Sequence, residues 1–258
     1  MRRYWLPASA LQGDQILIDG EPFHHIFDVC RQEMGSKFEV LGVPGVAHFV
    51  EVTDVQKKKA FARVLETRRI PELPKPHLVL ALSLCRYHVM DSVVERAVEM
   101  GVAEIRPFFS DFSFIRKSAS LPDSKMERWR KIVVSATQQS GRGDLMPLQD
   151  PVDFEDLLSS FNQSGQKAGL FAYEGASPKA IKEFTHELPR EAEQVWIFVG
   201  SEGGFSAEEV QRIQDLGLVP VTLGDQVLRV ETACIALVSV LKYELGLMTS
   251  TGGGTNVE

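Results

Sequence analysis

The chain has 258 residues, 44% of them apolar and 24% charged, the balance of a folded globular protein rather than a disordered or fibrous one. Its net charge of −7 excludes a generally basic nucleic-acid binder. Residues 1–72 are charge-balanced, so the whole acidic excess falls on the remainder and any phosphate contact must come from local patches. No apolar run reaches the ~20 residues of a membrane-spanning helix. The start of the chain carries Arg2 and Arg3 but no apolar core of a signal peptide, so the expected location is the cytoplasm. Cys30, Cys85 and Cys234 are odd in number, far apart and set in apolar runs. They read as buried free thiols, with neither a disulfide framework nor a metal site. The histidines are scattered, which also speaks against metal.

Residues 1–72 predict a small β-rich unit. Strands are expected at 15–18, 38–41, 48–52 and 60–65, with a turn at Val43-Pro44-Gly45. Asp19 is positioned to cap a helix containing His25, Ile26, Val29 and Cys30. One helix among short strands suits a small barrel. Lys57, Lys58 and Lys59 read as an exposed hairpin tip, either a solvated turn that blocks edge pairing or a phosphate contact. Arg2 and Arg3, beside Tyr4 and Trp5, mix charge with aromatics as RNA-binding surfaces do; a frayed terminus explains them as well.

Three prolines in 71–77, PELPKPH, mark the domain boundary. Beyond it, strands expected at 77–84, 105–109 and 167–173 alternate with helices at 90–100, 123–139 and 177–186. That alternation predicts a parallel sheet flanked by helices. The domains are therefore 1–72, 73–248 and a disordered tail at 249–258, where TSTGGGTNVE has nothing to bury.

The most informative stretch runs from 195 to 233. An uninterrupted apolar run at 195–199 suits a strand buried on both faces. Gly200-Ser201-Glu202-Gly203-Gly204 follows, and then Ser206 with Glu209 three residues on, a capping box with Phe205 and Val210 at hydrophobic-staple spacing. A second apolar run, 218–223, ends at Gly224. Leu228-Arg229-Val230-Glu231-Thr232-Ala233 then opens a helix, 231–247, that is apolar in nearly every direction and must be enclosed by other chain or by a second subunit. Ligands of α/β sheets sit at the carboxyl ends of strands, and glycines there let the backbone approach them. No Gly-Lys-Ser/Thr follows the loop and no G-x-G-x-x-G opens a helix, so neither a Walker A loop nor a Rossmann site is indicated. No nucleophilic serine elbow is present either. Arg229 and Glu231 beside a buried helix are costly unless paired or used. Arg142, after the glycine that ends the helix at 123–139, is positioned to reach a ligand.

These residues resemble a known family. VGSEGGFSAEE followed by LGDQVLRVETA is similar to the paired signatures of the RsmE family of SPOUT-class RNA methyltransferases. ERAVEMGVAEIRPFFS (95–110), ERWRKIVVSATQQSGR (127–142) and the His25-Ile26, Val29, Arg31 element resemble further family segments. The resemblance implies an α/β chain: a C-terminal trefoil-knotted parallel-sheet domain preceded by a small PUA-like β-barrel that binds RNA. It implies a homodimer, S-adenosylmethionine as cofactor, and methylation of N3 of a uridine in the 16S rRNA of the small ribosomal subunit. Carried onto this chain, the cofactor would be held by Gly200, Ser201, Glu202, Gly203, Gly204, Leu223, Gly224, Leu228, Arg229, Glu231, Thr232 and Ala233. Arg229 and Glu202 would be catalytic, and Arg2, Arg3, Lys57, Lys58, Lys59 and Arg142 would meet RNA. Ser201 stands where the family usually has Pro, Gln138 where Glu is usual, Arg96 where Lys is usual, Val230 where Thr is usual and Val89 where a Lys is common. Two alternatives stay open: methylation at another RNA position such as a ribose 2′-OH, and a non-catalytic RNA-binding or ribosome-assembly protein.

Overall fold

The structure, a computed structural model, describes residues 1–175, 179–189 and 191–249. Residues 250–258 of the expected tail, and the first two residues of the helix expected at 177–186, lie outside it. Two compact units emerge, one of residues 1–72 with 134–145 and one of 73–133 with 146–249.

The first unit holds β1 (Arg3–Trp5), β2 (Leu11–Gln12), β3 (Gln15–Asp19), β4 (Lys37–Leu41), β5 (Val46–Val55) and β6 (Lys59–Arg69). They form one sheet in the order β1-β4-β5-β6-β3-β2. β1 runs parallel to β4 and every other pair is antiparallel. Alternation sets the core: Ile16, Ile18, Phe38, Val40, Val50 and Val52 point to one buried face, as period-2 strands require. Helix α1 (Gly20–Phe23) continues as a π-helical stretch, His24–Val29, and its Phe23, Ile26 and Phe27 complete that core. Asp19 occupies the N-cap position, but its side chain makes no capping bond.

The N-terminus is not frayed. Arg2 Nη1 donates to the Cys30 carbonyl at 2.8 Å. The Arg3 Nε donates to Glu39 at 2.8 Å, and Arg68 donates to the same carboxylate at 2.7 Å. Glu39 is only 6% exposed, and its hydrogen bond from Arg68, with help from Arg3, holds its carboxyl below the usual glutamate range against the opposing cost of burial.

Residues 134–145, expected in the second domain, group with the first unit for a visible reason. The Trp5 N–H donates to Gln138 Oε1 at 2.9 Å, and the Gly45 N–H donates to the Gly143 carbonyl at 2.9 Å.

The second unit is built on β7 (His77–Ser83), β8 (Glu104–Phe109), β9 (Val152–Asp153), β10 (Lys167–Ala172), β11 (Lys179–Ala180), β12 (Gln194–Val199) and β13 (Val219–Thr222). The sheet is wholly parallel, in the order β11-β13-β10-β12-β7-β8-β9. Its helices are α2 (Tyr87–Glu99), α3 (Asp123–Ser140, continuing into the first unit), α4 (Phe154–Gln163), α5 (Ile181–Glu187), α6 (Ala207–Asp215) and α7 (Val230–Glu244). Val195 to Val199 are each at most 3% exposed, as a strand covered on both faces must be. At ~1.5–3 kcal/mol for each large apolar side chain buried, this one strand is a major stabilising element.

One departure from expectation stands out. Helix α4 was not anticipated, although Leu157, Leu158 and Phe161 form its buried face. Helix α7 is not enclosed on all sides by its own chain. Val230, Ala233, Cys234, Leu237, Val238 and Leu241 are buried, whereas Ile235, Ala236 and Val240 are half-buried and Tyr243 is 74% exposed. Among the described residues, no helix is long and apolar enough to cross a membrane.

Candidate functional site

The sheet order locates the site. β7 connects onward to β8 on one side, while β12 connects onward to β13 on the other, so the switch point lies between β7 and β12. Ligands of doubly wound sheets bind in the crevice at the carboxyl ends of such strands. A cleft of about 680 Å³ opens there. Its walls come from the start of α2 (Arg86, His88, Val89), the end of β10 and the turn after it (Ala172 to Gly175), the turn after β12 (Gly200 to Phe205), and the entry to α7 (Val227 to Glu231, with Ala233).

The turn after β12 is fixed by its own chemistry. The Gly204 N–H donates to the Ser201 carbonyl at 2.9 Å, and Gly204 sits at φ +71°. A Cβ on Gly200 would lie 2.8 Å from the carbonyl carbon and oxygen of Gly204, and one on Gly203 would lie 2.8 Å from Phe112 Cβ. Both positions need glycine because backbone or packed side chain already fills that space. Ser201 is buried, and its hydroxyl donates to the Phe112 carbonyl at 2.6 Å, tying the loop to the segment after β8. The capping box forms as expected: the Glu209 N–H donates to Ser206 Oγ at 3.3 Å, and the Ser206 N–H donates to Glu209 Oε2 at 2.9 Å. The second oxygen of that buried carboxylate accepts the Asp111 N–H at 2.9 Å.

Glu202 is exposed in the cleft, and its carboxylate accepts the backbone N–H of Arg86 at 3.2 Å, joining the turn after β12 to the start of α2. Arg229 is the N-cap residue of α7, and its carbonyl accepts the Ala233 N–H at 2.8 Å. Its side chain is exposed and has no ion-pair partner among the described residues. Burial raises the thiols of Cys85 and Cys234 far above their usual range, and the charges of Glu202 and Glu231 add to the shift at Cys85, that of Glu231 at Cys234. Both are protonated and chemically inert. No cluster of metal-ligating side chains occurs among the described residues.

Of the expected cofactor residues, the cleft gathers Gly200, Ser201, Glu202, Gly203, Gly204, Leu228, Arg229, Glu231 and Ala233. Leu223, Gly224 and Thr232 do not line it. The turn at 222–224 closes on itself instead, with the Thr222 hydroxyl accepting the Gly224 N–H at 3.2 Å and donating to the Gly224 carbonyl at 2.9 Å. Sequence reasoning missed Arg86, His88, Tyr173, Glu174 and Gly175. Each follows a strand that the sheet order places beside β12.

Of the residues expected at RNA, Lys57 and Lys58 are exposed at the tip between β5 and β6, and Lys59 begins β6. Arg142 is corrected. It is buried, with Nε and Nη2 on the two oxygens of Asp144 at 3.0 and 2.9 Å, so its guanidinium is not offered to solvent. Arg2 and Arg3 are committed to Cys30 and Glu39 as described above.

A parallel-sheet domain with a glycine-lined cleft at its switch point belongs to the class of cofactor- or nucleotide-binding α/β proteins. The model of one family, described as the RNA methyltransferase domain, matches residues 71–242. The ribosomal RNA small subunit methyltransferase E of Aquifex aeolicus is 31% identical over 226 residues, 88% of this chain and 93% of that protein. The protein of the same name from Buchnera aphidicola (Schizaphis graminum) is 29% identical over 240 residues, covering 92% and 94%. A Legionella pneumophila structure holding the cofactor SAM superposes with a TM-score of 0.83 at 26% identity, covering 93% of this chain and 96% of that one. The chain belongs to the RsmE family of RNA methyltransferases.

Proposed function

We propose that this protein methylates N3 of one uridine in the 16S rRNA of the small ribosomal subunit, with S-adenosylmethionine as donor. One observation carries the reading: the cleft at the switch point is walled by main-chain groups of Gly200, Gly203 and Gly204, in a chain of this family. Its volume of about 680 Å³ lies in the range of small-molecule pockets. Gly204, with nothing within 4 Å of the place a Cβ would occupy, leaves the turn's main chain open to an adenosine-sized group. The residues assigned to hold it are Gly200, Ser201, Glu202, Gly203, Gly204, Leu228, Glu231 and Ala233, with Arg229 at the rim. Bound there, the donor supplies a methyl group made electrophilic by its sulfonium.

The chain's own contribution is position and charge. Arg229 presents its guanidinium to the cleft without an acidic partner among the described residues. It stabilises the negative charge that spreads onto the base's carbonyl oxygens when N3 gives up its proton to solvent water, before N3 takes the methyl and the donor leaves as the neutral thioether, a term worth ~3–4 kcal/mol in comparable oxyanion sites. Glu202 acts as an orienter, because its carboxylate already holds the Arg86 N–H. Cys85 and Cys234, buried and protonated, take no part.

In the same reading, the second unit is a SPOUT-type trefoil knot and the first a PUA-like RNA-binding domain, with Lys57, Lys58 and Lys59 on phosphate. The protein works as a homodimer. Ile235, Ala236, Val240 and Tyr243 give α7 an apolar face that its own chain leaves open, which supports a second copy as its cover.

The test is methyl transfer from labelled S-adenosylmethionine to small ribosomal subunits, followed by nuclease digestion and mass spectrometry of the nucleosides. The expected product is 3-methyluridine. A ribose-methylated nucleoside would replace the target, and no transfer with intact cofactor binding would favour a non-catalytic RNA-binding role.

A further inference from the structure

Between β8 and α3 the chain makes a run of turns and bends, Asp111-Phe112-Ser113-Phe114-Ile115-Arg116-Lys117, in which two buried residues are set among exposed ones. Ser113 and Ile115 are buried, while Phe112 and Phe114 are 46% and 54% exposed. The buried residues act as anchors. The Ser113 hydroxyl accepts the Ser110 N–H at 2.7 Å and shares a closed, fully buried set of hydroxyl contacts with Ser83 (2.9 Å) and Ser110 (3.0 Å). The Phe114 N–H donates to the Leu84 carbonyl at 2.8 Å. The run is therefore pinned at its base, and the two rings are held outward by construction rather than by looseness.

Phe112 abuts the wall of the cleft, and Phe114 stands beyond it against Tyr87. Phe112 packs against Gly203, and its carbonyl accepts the Ser201 hydroxyl. Phe114 meets Tyr87 edge-on, with ring centroids 5.7 Å apart. Tyr87 lies between Arg86 and His88, which line the cleft, and carries Lys125 Nζ 4.2 Å over its face. Arg116 and Lys117 continue the run, exposed and without an ion-pair partner among the described residues. Arg116 also borders a smaller hollow with Asp153, Glu155 and Glu208, so Lys117 is the freer of the two.

We propose that Phe112 and Phe114 form a stacking platform for unpaired bases next to the target nucleotide, with Arg86 and Lys117 on the adjoining phosphates. This rests on the RNA-methylating reading of the cleft. Sequence-specific RNA recognition takes unstacked bases onto aromatic faces, and a platform of isolated rings interleaved with cations is the surface that does so. A second copy of this chain is the poorer occupant. Its natural seat is the continuous apolar face of α7, whereas Phe112 and Phe114 are separated by polar atoms and bordered by Asp111, Arg116 and Lys117.

The experiment compares wild-type protein with Phe114→Ala, Phe112→Ala/Phe114→Ala and the conservative Phe114→Trp. Steady-state methyl transfer is measured on small ribosomal subunits. Calorimetry with S-adenosylmethionine and light scattering report on each protein's integrity and mass. Stacking losses predict a KM for the subunit raised roughly 5- to 100-fold per ring removed, kcat and cofactor affinity held within about twofold, and rescue by Trp. Separately, Lys117→Glu lowers the slope of log affinity for RNA against log salt by about 0.7. An unchanged KM and salt slope in a panel whose wild type is active overturns the platform alone. A change in mass with the aromatic variants also overturns it, in favour of a protein contact. A wild type that binds no RNA and transfers no methyl defeats the underlying reading, and the platform falls with it.

Discussion

Gly200→Ala tests the cleft where it is most tightly specified. The new methyl would sit 2.8 Å from the carbonyl carbon and oxygen of Gly204 and 2.9 Å from its Cα. Favourable carbon contacts lie at ~3.5–4.0 Å, so the two sides of the turn must part by roughly 0.7 Å or more. The obstacle is backbone, so no rotamer change relieves it. Overpacking of this kind costs ~1–3 kcal/mol. Opening the turn also weakens the 2.9 Å bond from the Gly204 N–H to the Ser201 carbonyl, worth ~1 kcal/mol. If the loop is the cofactor's seat, most of this appears as lost affinity. At 1.4 kcal/mol per tenfold, calorimetry should show S-adenosylmethionine binding roughly 10- to 100-fold weaker. The melting temperature should fall by only ~2–8 °C in a protein of this size. Gly165→Ala is the control, because nothing lies within 4 Å of its added methyl. A Gly200→Ala protein that binds within twofold of wild type, or an equal loss in the control, would refute the reasoning.

Other expectations follow from the same geometry. Arg229→Ala should lower turnover ~10²–10³-fold while cofactor affinity stays within about twofold, as read by single-turnover kinetics and calorimetry. Glu202→Gln should retain turnover within about threefold, since an amide oxygen still accepts the Arg86 N–H, whereas Glu202→Ala should lose roughly tenfold; a large loss and an altered pH profile in the Gln variant would make Glu202 the base instead. Glu39→Gln should cost about 2–3 kcal/mol at neutral pH, by leaving Arg3 and Arg68 without their shared carboxylate. Because the Glu39 carboxyl is depressed in the folded state, its contribution is complete above the usual glutamate pKa and lost as pH falls through the depressed one. The stability gap between wild type and variant, measured in urea at pH 7 and pH 3, should therefore narrow in acid.

The parallel sheet was legible because burial on both faces writes itself as unbroken apolar runs, such as the one at 195–199. The capping box at Ser206 and Glu209 was legible because its spacing is local. Helix α4 carried the same kind of signal, with Phe154, Leu157, Leu158 and Phe161 at helical spacing, in a run of only ten residues broken by serines. What escaped was tertiary. Arg142 is one case: composition shows Asp144 two residues on, but not that the arginine is buried and spent on it. The alignment of 134–145 with the first unit rests on Gln138 and Gly143 meeting Trp5 and Gly45, contacts between residues about 100 or more positions apart. Arg86 and Tyr173 enter the cleft only because β7 and β10 flank β12, an order that a linear pattern does not reveal. Helix α7 looked enclosed from its composition, and its half-open face shows that composition alone does not say whose atoms do the enclosing.

The most direct measurement is a crystal structure grown with S-adenosylmethionine. The donor should lie against the main chain of residues 200–204, with its methyl toward Arg229. Density elsewhere on the protein, or an empty cleft at saturating donor, would contradict the account.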